Sequence, residues 1–118
     1  MKKPIPSELA MPDTAGFTIL QDHVRRMTAH FQWTTDNTRK VLLLVEEIGE
    51  LAKAIRRMEK IGLEDADRAM SREKATANLE EELADVLNYI LDIANGYGVD
   101  LGKAYADKMT ANLVREWK

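Results

Sequence analysis

Leu43-Leu44-Val45-Glu46-Glu47-Ile48-Gly49-Glu50-Leu51 and Leu79-Glu80-Glu81-Glu82-Leu83-Ala84-Asp85-Val86-Leu87 are the two stretches whose reading decides the fold. Each sets carboxylates three residues apart inside an apolar pattern of helical period. On a helix such residues share a face. Glu47 with Glu50, and Glu82 with Asp85, therefore each point two carboxylates in one direction. Antiparallel packing of the two helices would gather all of them. That concentration of negative charge is costly when half-buried unless a cation neutralises it. The competing reading is a pair of solvated acidic faces.

Advancing about 100° per residue, Val41, Leu44, Val45, Ile48, Leu51, Ala52 and Ile55 form a broad apolar arc on the first of these helices. Glu47 and Glu50 fall at its border, interleaved with Leu43, Ala54 and Met58. Glu46 sits with Lys53 and Arg57, on the side expected to face water. On the second helix Leu79, Leu83, Val86, Leu87, Ile90, Ile93 and Ala94 make the arc. Asn78, Glu82, Asp85, Tyr89 and Asp92 run along one edge of it.

Around these two segments the rest of the chain also reads as helix. Thr18-Ile19-Leu20-Gln21 has the form of a capping box, followed by Leu20, Val24, Met27 and Phe31 at helical spacing. Asp36 and Asn37 are N-cap types ahead of a second helix running to about Lys60, and Gly62 stands where a C-terminal cap is expected. The segment 62–71 is charged and irregular. Ser71 caps a third helix reaching Asn95, closed by Gly96 and Gly98, and Asp100 caps a fourth reaching Trp117. Pro4, Pro6 and Pro12 lie in residues 1–16, which read as a flexible arm ahead of a helical domain over 17–118. The expected fold is all-α, a four-helix bundle-like domain.

Composition narrows the function classes. At 118 residues with 45% hydrophobic and 31% charged residues, the chain fits one soluble helical domain. Its apolar arcs are wide for so small a core, so a homodimer or a dimer of dimers (a homotetramer) is expected to cover them. A net charge of −3 argues against a nucleic-acid binder. No apolar run approaches membrane-spanning length, and the start lacks the core of a secretion signal. With no cysteine, thiol catalysis and thiolate zinc sites are excluded, and a cytoplasmic location is expected.

The paired acidic blocks, together with a Lys108, Asn112, Arg115 series, resemble the signature of the MazG-like, all-α nucleoside triphosphate pyrophosphohydrolases. The resemblance runs from about Phe17 to Trp117. It implies magnesium-dependent cleavage of a nucleoside triphosphate, ribo or deoxy, to monophosphate and pyrophosphate, a reaction suited to cleaning nucleotide pools. Carried over by position, the metal ligands would be Glu47, Glu50, Glu82 and Asp85. The spacer from Leu51 to Glu80 is long for the family and carries extra charge, which bears on substrate preference.

The chemistry of the residue types agrees with this. Oxygen ligands select a hard cation, magnesium by preference with manganese a substitute. His23 and His30 lack the Glu-x-x-His spacing of a helical di-iron site. A carboxylate not engaged by metal could accept the attacking water's proton, and Glu46 and Glu50 are the catalytic candidates. Lys108, Asn112 and Arg115 form one stripe on the last helix, suited to phosphate and sugar contacts or to a merely solvated basic face. Tyr89, one turn after Asp85, and Trp33, in a loop beyond the first helix, are candidates to hold a base or sugar, whereas Phe31 continues the apolar stripe and reads as core. Two rivals remain: a phosphoribosyl-ATP pyrophosphohydrolase, and a non-enzymatic helical interaction or regulatory module.

Overall fold

The computed structural model describes residues 4–115. A 3-10 turn, Ser7–Leu9, precedes helices α1 (Ala15–Phe31), α2 (Asn37–Glu59), α3 (Asp65–Arg68), α4 (Arg72–Gly96) and α5 (Leu101–Leu113). No strand occurs among the described residues. Four of the helices are the expected ones, and the one-turn α3 is an addition inside the irregular spacer. Residues 116–118, including the expected helix end at Trp117, lie outside the described residues; α5 itself closes at Leu113.

Three helix starts follow the anticipated chemistry. Asp36 accepts hydrogen bonds from Thr38 N and Arg39 N, Ser71 from Lys74 N and Asp100 from Lys103 N. Each satisfies donors that a helix cannot pair internally. The expected start at Thr18 is corrected: α1 begins at Ala15, and Asp13 Oδ1 accepts from Ala15 N. Gln21 has a better use than a capping box. It is buried, its amide donates to Asn95 Oδ1 (3.1 Å) and Val99 O (2.8 Å), and its Oε1 accepts from Leu101 N (3.0 Å). One side chain thus ties α1 to the α4–α5 turn. The end of α2 is also corrected: Lys60, in the left-handed region at φ 57°, is the cap, and Gly62 at φ 60° makes the following turn.

α2 and α4 form an antiparallel hairpin. Asn37 Nδ2 donates to Gly96 O at one end of it, and Arg57 Nη1 to Asn78 Oδ1 at the other. A Cβ added at Gly96 would run into the Asn37 side chain, which would have to move and give up its bond to Gly96 O. α1 packs on α4, and α5 packs on α1 through Phe17 and Tyr105.

The seam of the hairpin is not the centre of the expected arcs. Toward α4, α2 turns Lys40, Leu43, Leu44, Glu47, Leu51, Ala54 and Met58, all buried or half-buried. Val41, Val45, Ile48 and Ile55 remain 43%, 61%, 49% and 47% exposed, and Leu83, Leu87 and Ile90 on α4 are likewise exposed. Within one chain, then, the border carrying the carboxylates is what packs, and the arcs look outward. The radius of gyration is 18.1 Å, whereas a compact domain of this length has about 13 to 14 Å. Phe31, expected in the core, is 58% exposed, its ring lying against His30 and Trp33.

Candidate functional site

The hairpin register sets Glu47 on α2 opposite Glu82 and Asp85 on α4. One carboxylate oxygen from each lies within 4.8 Å of the others. Glu47 and Glu82 are half-buried and Asp85 is exposed. Glu82 Oε2 is sealed from solvent with no hydrogen-bond partner, an arrangement that costs free energy unless something else meets that oxygen. Burial first, then the charges of Asp85, Glu82 and Glu50, raise the pKa of Glu47 above its ordinary value. An all-oxygen, mutually repelling set with a partnerless buried atom fits a hard divalent cation, so the three residues can hold one.

Glu50, the fourth expected ligand, is not brought into this group. It is exposed one turn further along α2, with its Oε1 3.7 Å from Lys53 Nζ, although its charge still acts on Glu47. Glu46 is exposed as expected, and its charge is felt by Tyr89.

A cavity of ≈ 370 Å³ opens beside the carboxylates, and Trp33, Thr34, Leu43, Glu47, Asp85, Asn88, Tyr89 and Asp92 line it. Trp33 and Tyr89, both expected to meet a base or sugar, are therefore in its wall. Trp33 owes its place to the end of α1. Gln32 takes the left-handed conformation at φ 54°, Trp33 N donates to Thr28 O, and the indole stacks on Phe31 with ring centroids 5.4 Å apart and planes 20° from parallel. Burial, followed by the charges of Glu47, Asp85, Asp92 and Glu46, raises the pKa of Tyr89, so its phenol stays a protonated donor.

Lys108, Asn112 and Arg115 do not line the cavity. They lie on or just beyond α5, which packs on α1, and Asn112 Nδ2 meets Met109 Sδ at 3.7 Å. Two cavity features escaped the sequence reading. Asn88 sits between the motif residues without a motif of its own. Lys40 is buried behind the cavity, 3.1 Å from Asp92 Oδ1; its place seven residues before Glu47, two helical turns on one face, was the available signal.

The sequence profile of the MazG nucleotide pyrophosphohydrolase domain matches residues 35–113. An uncharacterized protein of Bacillus subtilis (strain 168), YvdC, is 41% identical over 75 residues, which cover 60% of this chain and 70% of the relative. No solved structure matches.

Proposed function

Because the chain belongs to the MazG nucleotide pyrophosphohydrolase family, we propose that it hydrolyses a nucleoside triphosphate to the monophosphate and pyrophosphate with magnesium, manganese serving as a substitute. The observation that carries this reading is the meeting of Glu47, Glu82 and Asp85 within 4.8 Å, Glu47 and Asp85 lining the same cavity as Trp33 and Tyr89. Carboxylates and aromatic walls in one cavity suit the two halves of a nucleotide.

In this reading Glu47, Glu82 and Asp85 hold the cation, with Glu50 reaching it from the next turn. Bound there, magnesium would neutralise phosphate charge and lower the pKa of an attacking water. The chain's own groups orient the substrate. Trp33, braced by Phe31, offers a flat face to a base, and the Tyr89 phenol donates to a sugar or phosphate oxygen. Glu46 or Glu50, both open to solvent, takes the water's proton. Since α5 does not reach the cavity within one chain, Lys108, Asn112 and Arg115 grip phosphate at the site of a second copy in a homodimer or homotetramer. Pool cleaning in the cytoplasm is the physiological role that fits such an activity.

Anion-exchange analysis of the products from a panel of triphosphates tests the reaction. Monophosphate with pyrophosphate is expected. Diphosphate with orthophosphate would refute the bond assignment. Turnover confined to phosphoribosyl-ATP would select that related activity, and no turnover of any triphosphate would leave an interaction module.

A further inference from the structure

One charged group in the cavity wall is left without a task by the reaction. Asp92 is 5% exposed and Lys40 3%. A buried ion pair is a poor source of stability, since desolvating two charges offsets most of their attraction. The pair is also asymmetric. Asp92 Oδ1 takes Lys40 Nζ at 3.1 Å and Thr28 Oγ1 at 3.5 Å, while Lys40 reaches back to Asp92 O at 3.4 Å. These side-chain bonds all fall on Oδ1. Among the described residues the sealed, partnerless side-chain oxygens are Asn37 Oδ1 and Glu82 Oε2, so Asp92 Oδ2 is not sealed in. Asp92 is one of the residues that line the cavity.

A carboxylate accepts hydrogen bonds and donates none. With Lys40 as its countercharge, Asp92 is not a further ligand for the cation held by Glu47, Glu82 and Asp85. It stands seven residues beyond Asp85 on α4, about 10 Å along the helix, which is the scale of a nucleoside. Asn88, Tyr89 and Trp33 line the cavity with both of them. A ligand that lacks a donor at this point would leave a desolvated carboxylate unpaired, which is how a polar site rejects a near-isostere.

We propose that Asp92, positioned by Lys40 and Thr28, is a specificity-determining acceptor for an N–H or O–H donor on the nucleoside half of the ligand. The donor is an exocyclic base amine or a sugar hydroxyl. The proposal rests on the nucleotide reading of the cavity but not on turnover.

The test is calorimetric binding of nucleoside monophosphates with magnesium present, run beside triphosphate kinetics. Wild-type protein should bind a ligand carrying the matching donor about ten- to a hundredfold more tightly than one lacking it, the worth of one hydrogen bond to a charged group. Cytidine against uridine monophosphate reads the base amine. A 3′-hydroxyl against a 3′-deoxy sugar reads the hydroxyl. The double variant Asp92→Asn, Lys40→Met, which buries no lone charge, should erase that preference and raise KM more than it lowers kcat. Absence of any donor preference in the wild type, or its survival in a folded double variant, overturns the proposal. A donor preference in binding without triphosphate turnover would remove the hydrolase reading and keep this one; turnover without the preference would do the reverse.

Discussion

Glu47 and Asp85 face one another across the α2–α4 seam, and among the charges acting on Glu47 that of Asp85 is the largest. The two belong to different sequence motifs, so their encounter is a product of the hairpin register. It makes the metal-free protein's stability depend on pH in a direction opposite to that of an ordinary ion-paired carboxylate. Glu47's folded pKa lies above its ordinary value of 4.5, and burial is the first cause. The folded state therefore holds this proton more tightly than the unfolded state. Its contribution is present below the unfolded pKa and is lost as pH rises through the raised folded value. In metal-free melts, Glu47→Gln should match the wild type near pH 4 and pull ahead of it toward pH 7. A gap that stays constant over that range would show that Glu47 is not under this strain.

A cation should reverse the penalty. At a free concentration about a hundred times its dissociation constant, magnesium at one site adds roughly 2.7 kcal/mol to stability. The melting temperature should rise with millimolar magnesium or manganese beyond the rise given by sodium chloride of equal ionic strength. Glu82→Gln should lose most of that difference, because it removes the charge beside the sealed, partnerless Oε2. An equal rise in both salts would mean that no site is shared.

Much of this geometry was legible in advance. Spacing put Glu82, Asp85, Tyr89 and Asp92 on one edge of α4, and that edge is the seam. Periodicity also placed the four long helices, because capping residues such as Asp36, Ser71 and Asp100 act locally. What the sequence could not convey is which part of a wide arc finds a partner inside the same chain. Val45 and Leu44 belong to the same wide arc, yet only Leu44 enters the seam. Lys40 was hidden for a related reason. A lysine reads as solvated by default, and only the approach of Asp92 from another helix explains its burial. Gln21 reads as a local cap until the α4–α5 turn comes into view.

Function and folding should separate at the carboxylates. Asp85→Asn removes one of several like charges from a crowded site, so the metal-free protein should be as stable as the wild type or more so, while turnover is lost. Glu80→Gln, exposed and outside the group of three, should change neither property. Glu50→Gln distinguishes two roles for a residue placed just outside that group. Lost magnesium binding would make Glu50 a ligand, and retained binding with lost turnover would make it the proton acceptor. Full activity would remove it from the site.

The outward arcs make the last expectation, self-association. Val41, Val45, Ile48 and Ile55 on α2 and Leu83, Leu87 and Ile90 on α4 leave large apolar side chains in water on neighbouring elements. Fully burying an exposed side chain of this kind contributes roughly 1.5–3 kcal/mol, of which about half is still to be gained here, and a second copy offers the same surface for a two-fold contact. The 18.1 Å radius of gyration points the same way, since a chain this open has not buried what its length allows. Static light scattering at micromolar concentration should give a dimer or a multiple of one. Ile48→Glu, 49% exposed in the single chain and so harmless to its own packing, should shift the population toward monomer and make the melting temperature fall steeply on dilution. If the stripe of Lys108, Asn112 and Arg115 serves a second copy's site, that variant should lose turnover in step with dimer, while magnesium binding by Glu47, Glu82 and Asp85 persists. A fully active wild-type monomer would overturn both the interface and the shared site.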